Sequence, residues 1–254
     1  MTVPAQPEAV LSLLPKADGS ATYSHAGYTI TASANGPVEA QKRDEHPYEA
    51  LVDVVVRPAS GVGGTRERHL ESLLQQSLRQ LILVKDFPRC VVQIVLQVTA
   101  TPTNEYVNTK LVQASSDLLI IPALLQTAVL ALLSAAVPMR ATATSSVAAV
   151  SLSDGETQIK MDPSPREADR SRSIHVLAFT SSSELLLAES EGDFTMTEWD
   201  QVYETSRDAC CGADDSNAIH PALDESKQKG PDMRQFIGSA AEGKVAADLY
   251  WKLP

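Results

Sequence analysis

A glycine-rich loop flanked by arginines is the stretch of this sequence whose residue types best suit a chemical role. The loop runs from Pro58 to Thr65 and contains Gly61, Gly63 and Gly64, whose backbones can adopt conformations closed to other residues. It opens a predicted helix, so its amides could cradle a phosphate. The candidate contacts to RNA phosphates are the neighbouring arginines Arg57, Arg66 and Arg68. The same spacing is equally consistent with a flexible turn that carries solvated charges.

An acidic cluster after a predicted strand suggests a second kind of chemistry. Asp162, Glu167 and Asp169 supply the carboxylate oxygens that Mg²⁺ prefers, so a metal-dependent nuclease site is one interpretation. Three arginines are interspersed with them: Arg166, Arg170 and Arg172. Because opposite charges this close can pair at the surface, the sequence favours a salt-bridged turn over a metal site.

No other familiar catalytic or metal-binding pattern is present in the sequence. It contains no nucleophile elbow, zinc-protease helix, Walker loop or dinucleotide-binding glycine motif. His69 and His175 each lack a partner at metal-ligand spacing, and the three cysteines are too few and too badly spaced for a zinc site or a disulfide framework. We therefore predict no metal, no cofactor and a reducing compartment.

The elements around the glycine-rich loop should hold it between a strand and a helix. Leu51 to Val56 is rich in β-branched residues and leads directly into the loop as a predicted strand. A helix begins near Thr65, carries leucines at roughly helical spacing, and ends at the Asp-Phe-Pro segment of residues 86–88. Cys90 to Val98 alternates only weakly between apolar and polar residues, which predicts a strand covered on both faces.

The whole chain predicts one mixed α+β domain with less regular segments at its ends. Residues 1–8 are expected to form a flexible tail, 9–211 the domain, 212–231 a flexible acidic insert, and 232–254 a C-terminal helix packed on the domain. Trp199 and Trp251 lie on apolar helix faces, which predicts that both pack in the core. Further strands are expected at Val10–Leu14, Ala21–His25, Tyr28–Ala34 (stopped by Gly36-Pro37), Ala141–Leu152, Gln158–Met161, Ile174–Phe179 and Glu184–Ala188.

One apolar segment resembles a membrane span by length alone. Leu118 to Met139 carries no charge and is long enough to cross a bilayer. Prolines and polar residues interrupt it, however, and no basic cluster flanks it, so we predict a buried central helix and keep a membrane anchor as a weaker rival. The N-terminus also lacks the basic and apolar regions of a signal peptide.

The overall charge restricts how the protein could bind nucleic acid. The net charge is −11, so the surface as a whole does not favour RNA, and any RNA contact must be local. Hydrophobic residues make up 43% of the 254 residues, which is ordinary for a globular protein with a real core. The arginines beside the glycine-rich loop are the local group that could make such a contact.

Three segments together resemble the RNase PH family. They are ADGSATY at Ala17–Tyr23, GYTITASANGPVEA at Gly27–Ala40 and VVVRPASGVGGTRERHLE at Val54–Glu71, within a similarity that covers roughly residues 9–210. The resemblance implies a single domain of the ribosomal protein S5 domain 2 type, built from βαβα units. It also implies assembly with related subunits into the six-membered ring of the eukaryotic RNA exosome, which RNA threads, with RNA-binding cap subunits as further partners.

The sequence departs from the catalytic pattern of that family in both places that matter. Active members degrade RNA from its 3′ end by phosphorolysis, with a DGGTR-type segment at the start of the long helix whose arginine binds phosphate. Here the segment reads Asp-Leu-Leu-Ile-Ile over residues 117–121, so Ile121, or Ile120 in a shifted register, takes the place of the arginine. Neither offers a charge or a donor to phosphate. The two family aspartates fall near Ala168 and Ile174, with Asp169 one residue away.

The resemblance therefore predicts an inert member of a catalytic family. Our first hypothesis is a non-catalytic exosome ring subunit that supports RNA processing by building the ring and lining the RNA path, in the nucleus, the nucleolus and also the cytoplasm. The alternative is an active 3′-5′ exoribonuclease, either phosphorolytic or metal-dependent through the acidic cluster. Arginine at the position of Ile121 would be the mark of an active phosphorolytic site, and the sequence lacks it.

Overall fold

The computed structural model describes residues 6–102, 117–153, 156–212 and 233–252. Apart from Gly212, the predicted acidic insert over residues 212–231 lies outside the described residues, as do residues 1–5 of the predicted tail and the two C-terminal residues of the predicted last helix. Most of the loop expected after residue 102 and the turn at residues 154–155 also lie outside them. The described ranges fold into two sheets and five helices, so the mixed α+β prediction is confirmed.

The first sheet carries the glycine-rich loop at the end of one of its strands. Its strands lie in the order β1-β2-β3-β5-β4, and β4 pairs with β5 in parallel while the other pairs are antiparallel. Helix α1 connects the two parallel strands and buries Leu70, Leu74 and Leu78 against the sheet. The elements are β1 Glu8–Leu11, β2 Gly19–His25, β3 Tyr28–Glu39, β4 Leu51–Arg57, α1 Thr65–Leu81 and β5 Cys90–Ala100.

The second sheet is antiparallel and follows the central helix in the chain. Its elements are β6 Ala143–Ser153, β7 Glu156–Met161, α3 Pro165–Ala168, β8 Ser173–Thr180, β9 Leu185–Gly192 and α4 Met196–Cys211. The strands lie in the order β7-β6-β8-β9, and helix α4 covers one face with Val202 and Cys210. The single helical turn expected after Pro165 is confirmed as α3.

Helix α2 lies in the middle of the fold, between the two sheets. It spans Ile121–Ser134 directly after a 3₁₀ turn at Leu118–Ile120, and it contacts β2 and β3 on one side and β6 on the other. A helix that is apolar on all sides is stable only when it is covered on all sides, which is how α2 is placed. No helix in the described ranges is both long and apolar enough to cross a bilayer. The prediction of a buried central helix is confirmed.

Helix α5 closes the fold but extends past the core. It spans Met233–Asp248, buries Met233 and Ile237, and places the Phe236 ring edge-on against Tyr23 at 5.9 Å between ring centroids. The predicted packing of Trp251 in the core is wrong, because its side chain is 66% exposed beyond the end of the helix. Helical spacing defines an apolar face, but among the described residues the end of this face is exposed, as at Val245 and Tyr250.

Several predicted boundaries are also wrong, for local reasons. Gly36-Pro37 does not stop β3, which continues to Glu39 through a register shift against β5. Strand β5 is fully buried only at alternate residues, because its second face is half-open rather than covered. The first strand begins at Glu8 and ends at Leu11, where Ser12 turns the chain with a positive φ. Helix α1 ends at Leu81, before a separate 3₁₀ turn at Val84–Asp86.

Candidate nucleic-acid interface

The glycine-rich loop is fixed at both ends by side chains. At its start, the Glu71 carboxylate accepts the Val56 N–H at 2.9 Å, and the Gln97 amide donates to the Pro58 carbonyl at 3.0 Å. At its end, the Glu67 carboxylate accepts the Gly64 N–H at 2.6 Å. Residues 61–65 of the loop are exposed, and Val62 at the apex is 97% exposed. The loop is therefore a short exposed turn on a rigid base rather than a freely flexible segment.

The amides at the start of α1 are already partly occupied. Gly64 is the residue that caps the helix, and Glu67 lies three residues on, where its carboxylate reaches back to the Gly64 amide. The Glu67 carboxylate therefore occupies the position at which a bound phosphate would accept hydrogen bonds from the first free N–H groups of the helix. The phosphate cradle predicted from the glycines is thus filled at the Gly64 end by the protein itself. An RNA contact here depends on the arginine side chains.

Arg66 is the arginine that the fold places most firmly. Its guanidinium Nε donates a short, charge-assisted hydrogen bond to Oδ1 of Asp117, the residue directly before the turn that leads into α2. Both side chains are partly buried, with 25% of Arg66 and 28% of Asp117 exposed. The pair joins the start of α1 to the start of α2. Sequence reasoning treated these two sites separately, and the structure brings them together.

The other two candidate arginines are more open. Arg57 is exposed at the end of β4, and Arg68 is exposed in the first turns of α1. Neither forms an ion pair with any residue that the structure describes. Residues two apart on a helix point to different sides, so Arg66 and Arg68 do not face the same direction. The three arginines border the loop without forming one dense basic patch.

The start of α2 offers nothing to a phosphate except its backbone. The side chains of Ile120 and Ile121 are buried, with 6% and 1% exposed, and they belong to the main core. Ala168 and Ile174, which stand near the positions of the two family aspartates, are also buried apolar residues. Asp117 is the one charged residue of its segment, and it is engaged with Arg66. Because Ile120 and Ile121 pack in the core, this end of α2 is held by apolar contacts.

The acidic cluster predicted as a rival metal site is not assembled. Asp162 faces His25, with 3.9 Å between its Oδ2 and the histidine Nε2. Glu167 caps α3 through Ser164 and pairs with Lys160, and these hydrogen bonds lower the pKa of its carboxyl to about 2. Within the four described ranges, no three histidine, cysteine or acidic side chains come close enough to hold a metal ion. The turn is salt-bridged through Glu167 and Lys160, but the predicted partners are wrong, because none of the three interspersed arginines pairs with these carboxylates among the described residues and Arg172 pairs with Glu198 instead.

Other histidines and cysteines lie at packing or surface positions. His175 is fully buried, with its Nε2 2.9 Å from the Ser173 hydroxyl and its Nδ1 2.8 Å from the Ser190 hydroxyl, and burial lowers its pKa. Burial likewise raises the pKa of the Cys210 thiol to about 12. His69 is exposed on α1, and Cys90, expected to be buried, is half-exposed.

Comparison with known protein families identifies the class of protein to which this chain belongs. Domain 1 of the 3′ exoribonuclease family, RNase PH, matches residues 7–138, and the chain therefore belongs to the RNase PH family. The loop at Pro58–Thr65 and the replaced segment at residues 117–121 both lie within this match.

The more particular likeness is to one exosome subunit. The exosome complex component RRP46 of Saccharomyces cerevisiae is 28% identical over 209 residues, which cover 80% of this chain and 89% of the yeast protein. The exosome complex exonuclease RRP46 homolog of Oryza sativa is 25% identical over 169 residues, which cover 66% of this chain and 63% of the rice protein.

Solved structures bear out the predicted RNase PH-like fold. The crystal structure of rice Rrp46 matches with a TM-score of 0.66 and 21% identity, over 78% of this chain and 86% of that chain. A chain of the Archaeoglobus fulgidus exosome with RNA bound to the active site matches with a TM-score of 0.61 and 14% identity, over 80% and 84%. At these identities, the likeness concerns the fold.

Asp117 is the functional candidate that sequence reasoning missed. It is the last charged residue before an uncharged stretch that ends at Arg140, so burial of the following helix would have left it at the domain surface. An acidic residue isolated in this way is a signal that a partner lies elsewhere in the chain. The sequence could not identify the partner, because Arg66 is 51 residues away.

Proposed function

We propose that this protein is a non-catalytic ring subunit of the eukaryotic RNA exosome that supports RNA processing and degradation by other members of the complex. The observation that carries the proposal is the apolar start of α2, where buried Ile121, or Ile120 in a shifted register, takes the place of the phosphate-binding arginine of active relatives. Inorganic phosphate is the nucleophile of phosphorolysis, and residues 117–121 themselves carry no donor side chain to hold it. The similarity to RRP46 over most of the chain supports a place in the ring.

The partners in this proposal are other RNase PH-like ring subunits, RNA-binding cap subunits and RNA. Arg57, Arg66 and Arg68 are the proposed contacts to RNA phosphates. The carboxylates of Glu67, Glu71 and Asp117 lie among these arginines, and the body of the chain is acidic, so long-range attraction to RNA is weak. We therefore expect the contacts to act on RNA that the assembled ring already guides.

A second candidate function is an active 3′-5′ exoribonuclease. It is favoured by family membership and by the word "exonuclease" in the name of the rice relative. The two functions differ in one product. A phosphorolytic enzyme releases nucleoside diphosphates only when inorganic phosphate is present, and a metal-dependent hydrolase releases nucleoside monophosphates without it. The inert subunit releases neither.

The direct test is an assay on single-stranded RNA with the purified chain, with and without inorganic phosphate and Mg²⁺. We expect the RNA to keep its full length in every condition. Phosphate-dependent release of nucleoside diphosphates would contradict the assignment of Ile120 and Ile121 to the lost site. If release needed only metal, the variant Asp162→Ala would show whether the acidic turn is responsible.

The RNA-path role has its own test in the assembled ring. The double variant Arg66→Ala, Arg68→Ala should weaken RNA retention and crosslinking to this subunit while the ring still assembles. The matched control is Arg166→Ala, Arg170→Ala, which removes the same charge from exposed arginines on the α3 turn. Equal crosslinking of the first variant and the wild type would contradict the role.

A further inference from the structure

We propose that Asp117 is a positioning residue that holds the Arg66 guanidinium by its Nε, so that the Nη edge is presented to an RNA phosphate. The inference rests on the proposed function and deepens it, because it separates the three arginines into one that is oriented in advance and two that are not. It also assigns a role to Asp117, the one charged residue in the altered segment of residues 117–121.

The hydrogen bonds of Arg66 leave its terminal nitrogens available. A guanidinium has five N–H donors in a fixed plane, one on Nε and four on the two Nη atoms. Among the described residues, Arg66 uses only its Nε donor, in the bond to Asp117 Oδ1, and its Nη atoms have no hydrogen-bond partner there. A quarter of the Arg66 side chain is exposed. The free fork matches the paired oxygens of a phosphate.

Both ends of the pair are fixed by the fold. Arg66 lies in the first turn of α1, which the Glu67–Gly64 contact caps, and Asp117 directly precedes the turn into the buried helix α2. A long side chain that is ordered before its ligand arrives loses less conformational freedom on binding. Arg68, which has no carboxylate partner in the described part of the chain, lacks this advantage and serves as the internal comparison.

The opposite role for Asp117 is competition. A carboxylate bound to an arginine can occupy the donors that a phosphate needs, and its negative charge repels RNA. The use of Nε alone argues against competition, because a carboxylate that blocked the fork would engage the Nη atoms. The two roles predict opposite changes when Asp117 is shortened.

Binding of a fluorescein-labelled single-stranded oligo(A) to the assembled ring that contains the full-length chain separates the two roles. The variants are Asp117→Ala, Asp117→Asn, Arg66→Ala, Arg66→Lys and Arg68→Ala, each checked for a native melting curve. Affinity is measured by fluorescence anisotropy over a series of salt concentrations. Each phosphate contact to single-stranded RNA contributes about 0.7 to the slope of log affinity against log salt.

Positioning predicts that Asp117→Ala behaves like Arg66→Ala. Both should weaken binding, by about tenfold at low salt, and should reduce the salt slope by about 0.7. Asp117→Asn keeps an accepting oxygen and should largely preserve both values. Arg66→Lys keeps the charge but loses the fork, so it should also bind weakly, and this variant tests the inference even if Asp117→Ala does not fold.

Two results would overturn the inference, and they are distinguishable. Tighter binding and a steeper slope for Asp117→Ala would make Asp117 a competitor, and the RNA-path role would survive. Equal binding by the wild type and the triple variant Arg57→Ala, Arg66→Ala, Arg68→Ala would remove the RNA contact itself, and the proposed RNA path would fall with it.

Discussion

Gly19, at the start of β2, packs against the C-terminal end of the central helix, and one added methyl group there tests how tightly α2 is held. A Cβ on Gly19 would stand 2.2 Å from the Ala135 backbone nitrogen and 2.6 Å from the Ala131 carbonyl oxygen. Because real Cβ contacts essentially never fall below 3.0 Å, strand and helix would have to separate by about 0.8 Å. The obstructing atoms are backbone, so no side chain can rotate away.

The size of the effect follows from this overlap. Overfilling a packed core costs about 1–3 kcal/mol, and two backbone contacts place Gly19→Ala at the upper end, at about 3 kcal/mol. For a domain of this size each kcal/mol lowers the melting temperature by about 2–4 °C, so we expect a decrease of about 6–12 °C. Movement of α2 would also displace Asp117 and Ile121 at its other end.

The assay is urea and thermal unfolding followed by circular dichroism. The matched control is Gly238→Ala in α5, where an added Cβ meets no atom within 4 Å. This control should raise the free energy of unfolding by about 0.5–1 kcal/mol, because alanine is a better helix former than glycine. If Gly19→Ala had the same melting temperature as the wild type while the control behaved as expected, the close contact between β2 and α2 would be refuted.

Three further predictions concern capping, pH and thiol reactivity. Thr195→Ala should lower the free energy of unfolding in urea by about 0.5–2 kcal/mol, because the Thr195 hydroxyl accepts an N–H at the start of α4. Burial lowers the pKa of His175 below its ordinary 6.5, so the unfolded chain binds the proton first and stability should fall as the pH drops below that value. Unfolding measured from about pH 7 to about pH 5 should show a flatter decline for His175→Gln. Mass mapping after brief iodoacetamide treatment should find Cys90 labelled before Cys210, whose thiol pKa burial raises to about 12.

Local patterns predicted the elements that surround the candidate interface. The β-branched strand before Arg57, the glycines of the loop and the leucine spacing after Thr65 each depend on neighbours in sequence. The strand, the loop and the start of the helix occur as predicted, although the helix ends earlier, at Leu81. The uncharged stretch after Asp117 was assigned to a buried helix because polar residues and prolines interrupt it, and α2 is that helix.

Tertiary contacts account for what the sequence could not predict. The pairing of Arg66 with Asp117 depends on how α1 and α2 pack, which no local pattern encodes. Trp251 has the spacing of a core residue, but burial requires a body to pack against, and α5 extends past it. The acidic residues from Asp162 to Asp169 are close in sequence, yet a turn and a short helix point them toward different partners.

Native mass spectrometry of a reconstituted exosome ring with a bound RNA oligonucleotide tests the central claim most directly. The account predicts a hetero-oligomeric ring that contains this chain and retains RNA of unchanged length when phosphate is added. A stable homo-oligomer of this chain, a ring that forms without it, or RNA shortened by this subunit in a ring whose other members are inactive would contradict the account.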